Sequence, residues 1–144
     1  MSPKAVIGVS LFGFALDRGL KYFALKTPTF ANRGFEIFGG FGFRLHVNDA
    51  FAWSLPVPNT AALGLAAAVE LLLVFLLIKK RARPEWAGLA LMFFGALSNA
   101  ADRILYGGVV DYIAVPLGGV VNIADALVVL GAALLVFPRK AYAH

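Results

Sequence analysis

Residues 95–137 read GALSNAADRILYGGVVDYIAVPLGGVVNIADALVVLGAALLVF, and this stretch decides the fold. Three aspartates in it, Asp102, Asp111 and Asp125, lie at or beside the ends of two apolar segments of membrane-crossing length. Carboxylates are costly at membrane depth, so those found there are functional candidates by default. The stretch therefore predicts a membrane protein in which the rest of the chain positions these side chains.

The composition agrees with a small integral membrane protein. The chain has 144 residues, of which 60% are hydrophobic, and its mean hydropathy is +0.81, well above the usage of soluble domains. It has no cysteine, which excludes disulfides, iron–sulfur clusters, thiolate zinc sites and cysteine nucleophiles. His46 and His144 are the only histidines, so we expect no histidine-based metal site.

The net charge of +5 raises the possibility of nucleic-acid binding, but its distribution argues against it. The basic residues cluster at the ends of apolar segments, where they set membrane orientation by the positive-inside rule. One predicted side holds seven of them against a single acid, Glu85: Lys4, Lys79, Lys80, Arg81, Arg83, Arg139 and Lys140. Both termini are therefore predicted to be cytoplasmic, and the three aspartates face outward.

We predict four transmembrane helices, at about residues 5–25, 61–78, 85–105 and 120–137, within a single membrane domain of residues 1–144. Between the first two lies a β-region at about residues 30–55. There, Phe41, Phe43, Leu45 and Val47 alternate with less apolar residues, which is typical of a strand with one apolar face. Residues 35–38 are its expected partner, and Gly39-Gly40 is the tight turn.

The predicted fold class is thus an all-α membrane protein with four transmembrane helices and a small extracytoplasmic β-hairpin platform. Residues 109–116, which carry Asp111, are expected to form a short extended link between the third and fourth helices. Asp17 and Lys21 lie four residues apart and share a helix face. The pair is either a neutralising ion pair at the outer boundary or a polar support under an active site. Glu70, in the middle of the second helix, has no assigned role.

The chemistry available to this chain is carboxylate chemistry. Two close carboxylates can divide the work of peptide hydrolysis, one as general base on water and the other, protonated, as general acid. From the residues alone, the choice of two among the three aspartates stays open. Seryl catalysis is disfavoured, because Ser54 and Ser98 have no histidine near them in sequence and no nucleophile-elbow context.

At these residues the chain resembles a known family. Asn99-x-x-Asp102-Arg103, then VVDYI at residues 109–113, then Asn122-x-x-Asp125 are similar in order and spacing to the signature of the bacterial lipoprotein signal peptidases, signal peptidase II. The similarity extends upstream to the segment LDRGLK at residues 16–21 and to Asn48 with the aromatic run after it. It covers nearly the whole chain.

The resemblance implies an aspartic endopeptidase of the bacterial cytoplasmic (inner) membrane. Such enzymes cleave diacylglyceryl-modified prolipoproteins before the lipidated cysteine and use no metal or organic cofactor. The catalytic pair would be Asp111 and Asp125, with the hairpin clamping the lipidated substrate. Supporting or substrate-binding roles would fall to Asp17, Lys21, Asn48, Asn99, Asp102, Arg103 and Asn122, with Asp102 tied to Arg103.

The resemblance also implies the partners: the lipid-modified prolipoprotein, membrane lipid and no nucleic acid, with the enzyme acting as a monomer. Two alternatives remain open. Ser98 stands where the family usually has glycine, and Ala50 replaces a glycine after Asn48; these departures favour a non-catalytic relative that binds lipidated signal peptides. The second alternative is a small ion or proton carrier that uses Asp17, Glu70 and the outer aspartates.

Overall fold

The computed structural model describes residues 3–49, 58–81 and 83–137. The elements follow the order α1 (Pro3–Lys26), α2 (Pro28–Asn32), β1 (Phe35–Phe38), β2 (Phe41–Asn48), α3 (Asn59–Lys79), α4 (Trp86–Tyr106), β3 (Val109–Ala114), β4 (Val120–Val121) and α5 (Ile123–Val136). A 3₁₀ turn, Pro116–Gly118, lies between β3 and β4. The chain is therefore mostly helical, with one small sheet.

The helices differ from the expected bounds mainly at α5. It begins at Ile123 rather than near residue 120, because Val120–Val121 forms a strand and Asn122 caps the helix. The Asn122 side chain accepts a hydrogen bond from the backbone N–H of Asp125, whose own carboxylate accepts from the Asn122 N–H, a reciprocal capping box. Of the predicted β-region, residues 50–55 lie outside the described residues.

The sheet has four antiparallel strands in the order β1-β2-β3-β4. The predicted hairpin of β1 and β2 is confirmed, and its turn uses Gly39 and Gly40 at φ 56° and 86°, left-handed values that favour glycine. The extended segment expected at residues 109–116 is confirmed over its first part, which is strand β3. This strand belongs to the sheet, because it pairs with β2 so that Asp111 lies opposite His46.

Helix α4 lies at the centre of the helical bundle and packs against α1, α3 and α5. Its closest approach is to α5, where a Cβ on Gly131 would come within 2.5 Å of the Gly88 carbonyl oxygen. A Cβ on Gly95 would likewise lie 2.5 Å from the Ala124 carbonyl oxygen. Glycine at these positions lets the two backbones approach closely, which holds the start of α5 against the middle of α4 and the second half of α5 against the start of α4.

The burial pattern differs from that in a soluble domain. Among the residues that the structure describes, the buried polar or charged ones are Ser10, Asp17, Lys21, Ser98, Asp102, Arg103, Asp111 and Asn122. Large apolar side chains are exposed instead, among them Leu71, Phe75 and Ile78 on α3. Soluble proteins rarely expose large contiguous apolar surfaces. Within the described ranges, α3 alone is long and apolar enough to cross a membrane by length and composition, and α5 is apolar but shorter.

Candidate active site

Asp111 on β3 and Asp125 on α5 are joined by the side chain of Asn122. The Asn122 amide donates a hydrogen bond of 2.6 Å to Asp111 Oδ1, while its carbonyl oxygen accepts one of 2.8 Å from the Asp125 N–H. Asp111 is buried, whereas Asp125 is partly exposed. The capping residue of α5 therefore fixes the positions of both carboxylates at once.

The environment of Asp111 favours its protonated form. Burial, followed by the negative charge of Asp125, raises the pKa of Asp111 to about 7. Hydrogen bonds from the Asn122 and Asn48 side chains and the positive charge of Lys21 act in the opposite direction. Desolvation and a like charge both disfavour a carboxylate, so Asp111 carries a proton over much of the range below neutral pH.

Lys21 is the hub of a buried polar cluster behind the two aspartates. Its ammonium lies 2.8 Å from Asp17 Oδ2 and 2.7 Å from Asp102 Oδ2, and all three side chains are fully buried. It also donates a hydrogen bond of 2.8 Å to Asn99 Oδ1. Because the Asn99 oxygen is occupied in this way, its NH₂ group is directed at Asp125 Oδ1, 2.8 Å away.

Asp102 does not pair with Arg103, although the family resemblance led us to expect this contact. Its carboxylate forms ion pairs with Arg18 and Lys21 of α1 and accepts a hydrogen bond of 3.1 Å from the Val110 N–H. Successive helical residues point about 100° apart, so Arg103 faces elsewhere and exchanges hydrogen bonds with Asn59 at the start of α3. Asp102 thus anchors β3 immediately before Asp111.

Asp17 connects α1 to three other elements. Its Oδ1 accepts hydrogen bonds from the Tyr112 hydroxyl at 2.9 Å and the Ala124 N–H at 3.1 Å, and its Oδ2 accepts one of 2.6 Å from Ser98. Burial raises the pKa of Tyr112 above its usual value, and the Asp17 charge adds to the effect, which keeps the hydroxyl protonated as a donor. The expected ion pair between Asp17 and Lys21 is present, and it is buried among these contacts.

Of the predicted site residues, the structure therefore groups Asp111, Asp125, Asn122 and Asn48 in one cluster. Asp17, Lys21, Asn99 and Asp102 form the cluster behind it, and Arg103 lies apart, against α3. Glu70 is in neither: both its carboxylate oxygens are buried with no hydrogen-bond partner among the described residues.

Three contributing residues were assigned no site role from the sequence: Arg18, Ser98 and Tyr112. For Tyr112 the sequence does contain a signal, because adjacent residues of a strand point to opposite faces of the sheet. With Asp111 on one face of β3, a buried Tyr112 must reach the other face, towards α1. Ser98 departs from the family pattern and has no histidine near it in sequence, and no local signal reveals its bond to Asp17.

This arrangement can activate water between two carboxylates of unequal environment. Asp125, partly exposed, accepts hydrogen bonds from the Asn99 side chain and the Asn122 N–H, and these bonds stabilise its carboxylate form. Asp111, buried, suits a proton donor. Fold and site together define a small helical protein whose acid–base centre is of the type that aspartic hydrolases use.

A family model described as signal peptidase (SPase) II matches residues 9–139. The chain therefore belongs to the signal peptidase II family. Lipoprotein signal peptidases of Psychromonas ingrahamii and Burkholderia vietnamiensis are each 30% identical to it, over 85% and 91% of this chain and 77% and 84% of theirs.

One further relative matches a shorter part of the chain, and two solved structures have a similar fold. The lipoprotein signal peptidase of Paraburkholderia phymatum is 42% identical over 82 residues, and the matched part spans about half of that relative, 48% of its length. A solved structure described as a bacterial membrane enzyme has a TM-score of 0.83 at 24% identity, covering 99% of this chain and 94% of that one. A second, similarly described, has a TM-score of 0.80 at 25% identity, covering 98% and 96%.

Proposed function

We propose that this protein is an aspartic endopeptidase that cleaves diacylglyceryl-modified prolipoproteins on the N-terminal side of the lipidated cysteine. The observation that carries the proposal is the bridging of Asp111 and Asp125 by one side chain, Asn122. Membership of the signal peptidase II family supports the substrate class.

In the proposed mechanism, Asp125 removes a proton from water while Asp111 gives its proton to the scissile carbonyl oxygen. The hydroxide adds to the carbonyl carbon and forms a tetrahedral gem-diol. Collapse breaks the C–N bond as the amine takes the proton held by Asp125, and a gem-diol hydroxyl returns a proton to Asp111. The pair therefore ends in its initial protonation state, and no other group is consumed.

Four membrane-spanning helices, α1, α3, α4 and α5, are part of the proposal. The large apolar side chains exposed on these helices, with charged residues buried between them, support a lipid environment. The basic residues at the end of α3, Lys79 to Arg81, support placing that end in the cytoplasm. The sheet and the aspartates then face outward, both termini are cytoplasmic, and the enzyme resides in the bacterial inner membrane.

We further propose that the enzyme acts as a monomer, with residues 1–144 as a single membrane domain. Both side-chain clusters of the candidate site are assembled from one chain, and the carboxylates are positioned without a second copy. A lipid-modified prolipoprotein is the proposed partner, and the hairpin of β1 and β2 would clamp it.

The test uses single amide replacements in the purified enzyme with a diacylglyceryl prolipoprotein as substrate. Asp111→Asn and Asp125→Asn should each reduce the turnover rate by about a hundredfold or more, because each removes one acid–base group. Asp49→Asn is a matched control at an exposed position near the same end of the molecule. Cleavage retained by either site variant in the folded state would refute the assignment.

Glu70→Gln separates this proposal from an ion or proton carrier. A peptidase should keep its turnover rate in the folded Glu70→Gln variant, whereas a carrier should lose a proton or ion flux measured in liposomes. A flux that depends on Glu70, together with absent cleavage in the unaltered enzyme, would favour the carrier. Binding of the lipidated peptide without turnover would favour the non-catalytic relative.

A further inference from the structure

The sheet carries a pocket that the candidate active site does not use. It has a volume of about 280 Å³ and lies between the β1–β2 hairpin and the 3₁₀ turn after β3. Five of the residues that line it are glycines, so much of its wall is bare backbone: Gly34, Gly40, Gly42, Gly118 and Gly119. A group that enters it can therefore approach the main chain closely.

Two arginines give this pocket its charge. Arg33 and Arg44 both line it, and Gly34 packs against the Arg44 side chain. One Arg44 nitrogen donates a hydrogen bond of 3.2 Å to the Gly118 carbonyl oxygen, which leaves other guanidinium N–H groups for a ligand. The Arg33 side chain has no partner among the described residues. Glu36 also lines the pocket and accepts a hydrogen bond of 3.2 Å from the Gly40 N–H.

An apolar rim, formed by side chains of the β1–β2 hairpin, lies beside these charges, and Phe35 and Phe41 of this rim line the pocket. Four large side chains of the hairpin are at least half exposed: Phe35 at 59%, Ile37 at 62%, Phe38 at 78% and Phe41 at 50%. Exposed apolar side chains of this kind, Phe among them, insert at the boundary between the headgroups and the acyl chains of a bilayer. Two arginines beside such a rim match a ligand that joins apolar chains to an anionic group, because the guanidinium fork fits phosphate oxygens.

We propose that this pocket binds the phosphodiester headgroup of a membrane phospholipid, with the apolar rim against its acyl chains. The proposal rests on the membrane arrangement given under Proposed function but not on the catalytic roles of the aspartates. The pocket adjoins Gly42 and Ala114, which pair in the sheet. Ala114 lies three residues along β3 from Asp111, about 10 Å at the rise of a strand. A bound phospholipid therefore sits beside the candidate active site and helps hold the sheet at the membrane surface.

The test is native mass spectrometry of the full chain in detergent, with phosphatidylglycerol, phosphatidylcholine or diacylglycerol of identical acyl chains. Both phospholipids should be retained in preference to diacylglycerol, which lacks the phosphate. The double variant Arg33→Gln/Arg44→Gln should bind either phospholipid about tenfold more weakly, the scale expected for lost hydrogen bonds to a charged group. The double variant Arg33→Lys/Arg44→Lys keeps the charge and should recover part of the binding.

A control double variant, Lys26→Gln/Arg81→Gln, removes two charges outside the pocket and should bind phospholipid as the unaltered protein does. Equal retention of diacylglycerol, or unchanged retention in the folded Arg33→Gln/Arg44→Gln variant, would overturn the proposal. If inorganic phosphate at equal concentration displaced the lipid, the pocket would be a site for phosphate alone, and the proposal of a lipid ligand would be overturned. Asp111→Asn should bind phospholipid normally, so a failure of the proposed peptidase activity and a failure of this site are distinguishable.

Discussion

Replacing Lys21 by methionine tests the cluster that supports the aspartates. The change keeps a side chain of similar length and removes one buried charge. In the structure, the Lys21 ammonium lies 2.8 Å and 2.7 Å from two fully buried carboxylate oxygens, of Asp17 and Asp102. At an effective dielectric constant of about 20, each contact is worth about 6 kcal/mol of gross attraction. Methionine leaves both anions without this cation.

The net loss is smaller than the gross attraction, because burying the ammonium itself costs free energy. Breaking a buried pair by removing one partner typically costs about 3–5 kcal/mol. Asp102 keeps its ion pair with Arg18, and Asp17 keeps three hydrogen-bond donors. We therefore expect Lys21→Met to lower the free energy of unfolding by about 3–5 kcal/mol, a large fraction of the stability of a typical domain.

The assay is unfolding by dodecyl sulphate in mixed micelles, followed by circular dichroism. Lys26→Met is the matched control, since Lys26 is exposed near the end of the same helix and lies 5.9 Å from the Tyr22 ring centre. It should change the free energy of unfolding by no more than about 1 kcal/mol. The double variant Lys21→Met/Asp17→Asn should be more stable than the sum of the two single effects, because no unpaired Asp17 charge remains.

A loss below about 1 kcal/mol in Lys21→Met would refute the reasoning, because surface ion pairs reach that value without burial. Additive effects in the double variant would refute the coupling between Lys21 and Asp17. Cleavage activity is a second readout. If Lys21 directs the Asn99 amide towards Asp125, a folded Lys21→Met enzyme should also turn over substrate more slowly.

Two further predictions concern Asp111 and the helix packing. Activity should fall as pH rises through about 7, because a proton donor with a pKa of about 7 is lost above it. The Asn48 hydrogen bond favours the ionised form, so Asn48→Ala should move this alkaline limb of the pH–rate profile to higher pH; a shift to lower pH would contradict the assignment. Gly131→Ala should lower the free energy of unfolding by about 1–3 kcal/mol by forcing α4 and α5 apart. Gly64→Ala, which meets no atom within 4 Å, should be neutral or stabilising by up to about 1 kcal/mol, and equal effects of the two changes would contradict the close-packing argument.

The sequence was most informative where the signal is local. The alternation at residues 41–47 and the Gly39-Gly40 pair predicted the hairpin, because strand periodicity and turn glycines depend only on neighbouring residues. The spacing of Asn122 and Asp125 placed both on one helical turn, where they form the capping box. The order of the polar motifs was sufficient to indicate the family.

The sequence was least informative where a contact joins distant parts of the chain. Adjacency in sequence suggested that Asp102 is tied to Arg103, but the helix turns them apart, and the partner found on α1, Arg18, lies 84 positions away. The extended conformation of β3 was predictable, but its place in the sheet was not, because its hydrogen-bond partners come from β2, a separate region of the sequence.

By itself, the sequence determined which segments are apolar, which polar residues interrupt them, and the family to which the chain belongs. These properties are fixed by composition, periodicity and spacing along the chain. Only the tertiary structure decided which charges meet, that Asn122 bridges Asp111 and Asp125, and that Asp111 is buried enough to raise its pKa. Ion pairing and desolvation depend on distances between elements, and these exist only once α1, α4, α5 and the sheet have packed together.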